Sequence, residues 1–194
     1  MELAQLIRDR RSVQVYDDRP VPTELIAELL DTAVWAPNHH MTQPWSFILL
    51  QGDGRRLAAE ARKQYAEAEG GADPERRRQR GEKAWTTTMA VPAILVIVMA
   101  DDPQPVVRDE DLVATACVMQ NFLLLAADRG LAVGVKTYGA AYHQAFRRGL
   151  AIGPGERAVA ELQIGYATRL PAPQPRVPAR DRLRVVDAFT ASEA

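Results

Sequence analysis

Residues 10–50 read RRSVQVYDDRPVPTELIAELLDTAVWAPNHHMTQPWSFILL, and two clusters within this stretch carry its chemistry. The first, Arg10-Arg11-Ser12, sets two cations and a hydroxyl at the end of a short amphipathic helix marked by Leu3, Leu6 and Ile7. A guanidinium is a planar fork of donors that fits phosphate oxygens and stays charged at physiological pH, so the triplet can hold a phosphate. Taken alone, it also reads as an exposed basic helix end. The second cluster runs from Trp35 to Trp45. Asn38, His39 and Gln43 offer donors and acceptors together, while Trp35, Met41 and Trp45 supply apolar walls. A planar heteroaromatic ligand with carbonyl and imide edges suits that combination. The competing reading makes the tryptophans core and the polar groups a helix cap.

Between the clusters, Pro20 and Pro22 lead into a helix with Thr23 as its expected N-cap. Leu25, Ile26, Leu29, Leu30, Ala33 and Val34 recur at helical spacing, and Pro37 stops the run. Downstream, Pro44–Gln51 reads as a strand and Arg55–Glu69 as a polar, alanine-rich helix. Residues 70–83 (GGADPERRRQRGEK) read as a solvated loop or helix end and a candidate mobile lid. Val91–Ala100 is apolar throughout, as a strand covered on both faces would be. Leu112–Ala127 is apolar almost all round, so that helix should be buried on every side, and a homodimer interface would accommodate it. Leu131–Val135 and Ala158–Tyr166 read as strands and Ala141–Leu150 as a helix. Pro171, Pro173, Pro175 and Pro178 make residues 168–186 an extended arm. No repeat or linker interrupts residues 1–194, which read as one domain. Helices with a single layer of sheet imply an α+β or α/β sandwich.

Composition narrows the function classes. The 194 residues are 47% hydrophobic and 25% charged, which suits a globular domain. A net charge of −1 argues against a nucleic-acid partner for the domain as a whole. Cys117, the one cysteine, excludes an intramolecular disulfide, suits a reducing compartment and reads as a small buried residue. Neither long apolar stretch has the length and purity of a membrane span, and residues 1–30 lack a signal-peptide pattern. A cytoplasmic protein without a membrane partner is expected. Gly52-Asp53-Gly54 reads as a turn, because Leu57 occupies the third-glycine position of a dinucleotide fingerprint. His39 and His40 should point apart, and no metal site is expected. No Ser/His/Asp or paired-carboxylate set stands out.

The quoted stretch resembles the opening of the nitroreductase superfamily, in which Arg-Arg-Ser and a helix precede Ala-Pro-(Asn/Ser/Asp)-X-X-X-X-Gln-Pro-Trp and a strand. The second half agrees, with a long apolar helix, Gly130-Leu-Ala-Val-Gly134, Lys136-Thr137-Tyr138-Gly139, and a strand ending Ile164-Gly165-Tyr166. Spacing over residues 2–186 is most similar to the short, bacterial single-domain branch. The resemblance implies an α+β fold, a three-layer α/β/α sandwich, assembled as an intertwined homodimer with FMN at the interface. It implies that Arg10, Arg11, Ser12 and the late Arg176 hold the FMN phosphate and ribityl chain. Pro37, Asn38, His39 and Gln43 would approach the flavin from the other subunit, Trp35 is also expected among the cofactor-binding residues, and Thr137, Tyr138 and Gly139 would lie near the flavin's reactive edge. The resemblance also implies that the flavin carries the chemistry, so no protein side chain is expected to be catalytic. Many relatives carry a cation where Gln14 stands; Lys136 is the candidate to compensate. NADH or NADPH would be co-substrate and a small electron-poor molecule the acceptor: a nitroaromatic, a quinone, an activated alkene or free flavin. Dehydrogenation, flavin breakdown, or a flavin-binding sensor without turnover are the alternatives.

Overall fold

The computed structural model describes residues 2–137 and 143–186. Its strands are β1 (Trp45–Leu50), β2 (Ala93–Ala100), β3 (Ala132–Lys136) and β4 (Glu156–Gly165). They form one sheet in the order β1-β2-β4-β3, with every neighbouring pair antiparallel. The helices are α1 (Leu3–Asp9), α2 (Thr23–Ala33), α3 (Arg55–Ala68), α4 (Pro74–Met89), α5 (Pro105–Asp128) and α6 (Gln144–Gly149).

Alternation along β2 explains the layering. Ala93, Leu95 and Ile97 enter a core shared with α2 and α5, whereas Ile94, Val96 and Val98 enter a second core shared with α3 and α6. A strand buried on both faces needs apolar residues at consecutive positions, and residues 93–99 of β2 are all buried. The result is a three-layer α/β/α sandwich on an antiparallel sheet, which decides for α+β. Val159 is an extra residue in β4, because Val98 pairs with Ala158 while Ile97 pairs with Ala160. This bulge changes which faces the side chains take along β4.

The expected strands, and the helices starting at Thr23 and Arg55, lie within two residues of their sequence readings. Several other readings need correction. Residues from Pro74 onward are helix, not loop: Asp73 accepts hydrogen bonds from the backbone N–H of Glu75 at 3.0 Å and Arg76 at 3.4 Å, and Pro74 occupies the first turn. Asp-Pro-Glu is a helix start with a capping oxygen, a pre-set φ and an acid near the positive helix end. α4 packs on α3 so closely that a Cβ on Gly81 would collide with the Glu67 side chain. Thr23 is not an N-cap either. Pro22 holds that position, and the Thr23 hydroxyl donates to Gln51 Oε1 at 2.8 Å. α6 begins at Gln144; the expected helix start at Ala141 lies outside the described residues.

α5 starts seven residues before the apolar run, at Pro105. Its 24 residues make it long enough, and its composition apolar enough, to cross a membrane. In this fold Ala114, Val118, Phe122 and Ala126 are buried, and the helix packs against α2, β2 and β3. It is not buried on every side of the single chain, since Leu112 and Val113 are exposed. After α1 the chain runs alongside β3, with a parallel bridge from Ser12 to Val133. The Tyr16 hydroxyl then fastens this segment by bonding to Val13 O at 2.8 Å and Gln163 O at 2.9 Å.

Candidate active site

Nine of the expected binding residues line three cavities: Arg10, Arg11, Ser12 and Arg176 the first, Gln14 and Lys136 the second, Pro37, Asn38 and His39 the third. The first, about 600 Å³, lies between the end of α1 and the C-terminal arm and is lined by Arg10, Arg11, Ser12, Gln174 and Arg176. Folding therefore brings the late arginine to the N-terminal triplet. Arg10 Nη1 is buried and has no hydrogen-bond partner among the described residues. A buried charged donor left unpaired costs more than an ordinary hydrogen bond returns, so this atom calls for an anionic acceptor. Arg11 is partly committed elsewhere, because its Nη1 donates to Arg8 O at 2.6 Å and Arg10 O at 3.0 Å. Those carbonyls at the C-terminal end of α1 lack helical partners. Arg176 Nη1 donates to Gln174 O at 2.9 Å.

The second cavity, about 610 Å³, opens between α3, α4 and the sheet. Gln14 and Lys136 line it together with Gln163, Arg62, Lys83 and Thr88. Lys136 and Glu161 are cross-strand partners, and Arg62 reaches across from α3 to bond Glu161 Oε2 at 2.8 Å and Thr88 Oγ1 at 3.2 Å. The pair is well shielded, with side chains 11% and 1% exposed for Arg62 and Glu161. Burial, followed by repulsion from the Arg62 guanidinium, pulls the Lys136 ammonium below the usual lysine range. Tyr16 lies nearby, and burial pushes its phenol well above the usual range.

Pro37, Asn38 and His39 line a third cavity of about 470 Å³ against α5, beside Glu110, Val113 and Cys117. Cys117 is therefore half-buried at a cavity wall rather than fully buried. This loop is strained: His40, Met41 and Gln43 all have positive φ, at 50°, 54° and 43°. It is fastened at both ends and to α5. The Gln43 backbone N–H donates to Asn38 Oδ1 at 3.1 Å, the Thr42 hydroxyl to Asp111 Oδ1 at 2.9 Å, and His39 Nδ1 meets Glu110 Oε2 at 2.8 Å. The left-handed turn at His40 also brings the two imidazoles together, with ring centroids 3.9 Å apart, so these histidines do not point apart. Among the described residues no group of three or more His, Cys, Asp or Glu side chains is placed to hold a metal.

The two tryptophans divide. Trp45 packs against the core, whereas Trp35 is 88% exposed. Thr137 is exposed beyond the end of β3, and Tyr138 and Gly139 lie outside the described residues. Sequence reading missed Arg62, Lys83, Thr88 and Glu161. The available signal was Glu161, a charge in the middle of β4 between Ala160 and Leu162.

The first and second cavities flank the segment Arg10–Val15, one gathering the arginines and the other carrying Lys136 and Gln14. The third exposes the strained loop. Comparison with known proteins places the chain in one family. Residues 7–166 match the family described as Nitroreductase family. Bacillus subtilis YfhC, described as a provisional NAD(P)H nitroreductase, is 31% identical over 93% of this chain and 92% of its own. A nitroreductase-like family protein from Bacillus cereus superposes with a TM-score of 0.86 at 35% identity, covering 97% of both chains. A Bacteroides fragilis nitroreductase with bound FMN shares the fold, with a TM-score of 0.73 at 20% identity over 96% of this chain and 100% of its own. The chain belongs to the nitroreductase family and is a nitroreductase-type oxidoreductase.

Proposed function

We propose that this protein is an FMN-dependent NAD(P)H oxidoreductase that works as a homodimer and reduces a small electron-poor acceptor. The observation that carries the reading is the arginine cradle. Arg10, whose buried Nη1 has no partner among the described residues, lines one cavity with Ser12 and Arg176, a set of donors that suits a phosphate monoester. FMN has such a phosphate, and the Bacteroides fragilis neighbour of the same fold carries FMN.

Bound FMN would supply the redox chemistry, taking hydride at N5 from a nicotinamide and giving it to the acceptor. The chain's own part is to bind and orient. Arg10, Ser12 and Arg176 fix the phosphate end, with one arm of Arg11 in support. Gln14 and Lys136 line the adjoining cavity, where Lys136, at the end of β3, is the cation assigned to favour negative charge on the cofactor. Thr137, exposed beyond the end of β3, is assigned to the reactive edge, and the resemblance assigns Tyr138 and Gly139 to the same edge. The strained loop lies against α5, on the face of the sheet opposite α3, and is assigned to the partner's site rather than its own. Trp35, Met41, Leu112 and Val113, all exposed apolar side chains on this loop or on α5, are the surface a second copy would cover. In that arrangement Pro37, Asn38, His39 and Gln43 complete the site of the other subunit. α4, with Lys83 and Thr88 on the cavity wall, takes the place of the expected loop-like lid.

The test is to purify the protein, record its visible spectrum, and titrate it anaerobically with NADH and with NADPH. A yellow protein, bleached by one nicotinamide and recoloured by a nitroarene or quinone, is expected, with ping-pong initial rates. A colourless protein that FMN cannot reconstitute would overturn the reading. Bleaching without recolouring by any acceptor would leave a flavin-binding sensor.

A further inference from the structure

We infer that the cavity between α3, α4 and the sheet selects acceptors bearing a negative charge, a carboxylate above all, and that Lys83 is the residue that reads it. The inference rests on the oxidoreductase reading and names its substrate class. Four cations line this cavity, Arg62, Arg80, Lys83 and Lys136, and no carboxylate is among the described lining residues. They are not equivalent. Glu161 balances Arg62 at 2.8 Å. Arg80 Nη1 donates to Glu69 O at 3.0 Å, beyond the last turn of α3. Lys136 is half-buried on the sheet, where it suits the edge of the cofactor. Lys83 is exposed on α4 and makes no side-chain hydrogen bond or ion pair among the described residues. Its neighbour Glu82 is taken by Lys63 at 2.7 Å.

The rest of the lining tells what the charge is attached to. Val15, Tyr65, Ala66 and Ala84 offer apolar surface for a ring. The Thr87 hydroxyl, on the same helical stripe as Lys83, is spent on Lys83 O at 2.7 Å. The phosphate of the cofactor has its own cradle in the first cavity, so it does not consume these cations. What is left is an apolar slot with a free ammonium at its edge, the complement of an aromatic carboxylate.

The test compares two compounds of the same shape, 4-nitrobenzoate and 4-nitrobenzamide, binding to the oxidised, FMN-loaded protein without nicotinamide, by calorimetric titration at low salt. The carboxylate should bind about fivefold more tightly, the scale of one partly exposed charge pair, and added salt should remove the difference. Lys83→Met should abolish the preference by weakening only the carboxylate, and Lys83→Arg should keep it. Equal affinities in the wild type, binding of neither compound, or a preference that survives Lys83→Met would each overturn the inference. Failure of the oxidoreductase reading looks different: both compounds bind with the expected preference, and NAD(P)H reduces neither.

Discussion

Gly134 on β3 lies directly against Val13 in the segment after α1, so closely that a Cβ on Gly134 would overlap the Val13 carbonyl oxygen. The same Cβ would also come to 3.0 Å from the Tyr16 hydroxyl. That hydroxyl ties Val13 to Gln163, so the segment has little freedom to retreat. Gly134→Ala should therefore cost about 1–3 kcal/mol, the scale of overpacking, and lower Tm by about 5 °C. Because Arg10 and Ser12 belong to the displaced segment, FMN affinity should fall with it. Thermal melts and quenching of free-flavin fluorescence check both.

Arg10→Met removes the buried donor that has no protein partner. FMN affinity should drop about tenfold or more, as loss of a charge-assisted hydrogen bond implies, while riboflavin affinity should hardly change. Parallel titrations with FMN and riboflavin measure the contrast, and an equal loss for both would place the phosphate elsewhere.

Thr42→Val deletes the hydroxyl that donates to buried Asp111 at 2.9 Å. Leaving a buried carboxylate short of a donor costs about 1–3 kcal/mol. The strained turn at His40, Met41 and Gln43 should then loosen from α5, seen as faster amide exchange across residues 38–43. If that loop completes the partner's site, kcat should fall while FMN phosphate binding stays intact.

Arg62→Met removes the guanidinium that Glu161 accepts from at 2.8 Å, in a place almost closed to water. Breaking a buried pair in this way destabilises by about 3–5 kcal/mol. The double variant Arg62→Met, Glu161→Met should recover much of that loss, because neither charge then needs solvation. Chemical denaturation of the three proteins decides between this pair and a surface ion pair, whose removal would scarcely register.

Lys136→Met addresses the pH dependence. Burial and Arg62 make the protonated lysine less favourable in the folded chain than in the unfolded one. Its charge therefore costs stability at every pH below its lowered pKa, and the cost fades as pH rises toward the ordinary lysine value of about 10.4. The variant should melt above the wild type at pH 7 in FMN-free protein, with the gain shrinking toward that pH. In the loaded protein the flavin midpoint potential should fall, because the cation that favours the reduced form has gone.

Much of the fold was legible where one-dimensional pattern and burial coincide. Val91–Ala100 read as a doubly covered strand and Leu25 to Val34 as an amphipathic helix, and both are present. Legibility failed where composition masked local chemistry: the arginine-rich run after Gly71 read as a solvated loop or helix end, although Asp73-Pro74-Glu75 is a helix start. It failed again at α5, whose first turns are polar and so fell outside the apolar run. The site was legible in its identities and not in its grouping. Arg10, Ser12 and Arg176 do share a cavity, but Pro37, Asn38 and His39 occupy a different one, and Trp35 stands in solvent.

By itself, the order of residues 10–50 determined the family pattern, the helix and strand that follow the triplet, and the residue types able to grip a phosphate. These depend on near neighbours, through helical spacing, proline stops and the donor geometry of arginine. Only the tertiary structure decided that Arg10 keeps an unpaired buried donor, that Arg62 crosses from α3 to neutralise Glu161 beneath Lys136, and that Lys83 is left free. Those outcomes depend on which distant groups compete for the same charge, and that competition is settled only when the layers close on one another.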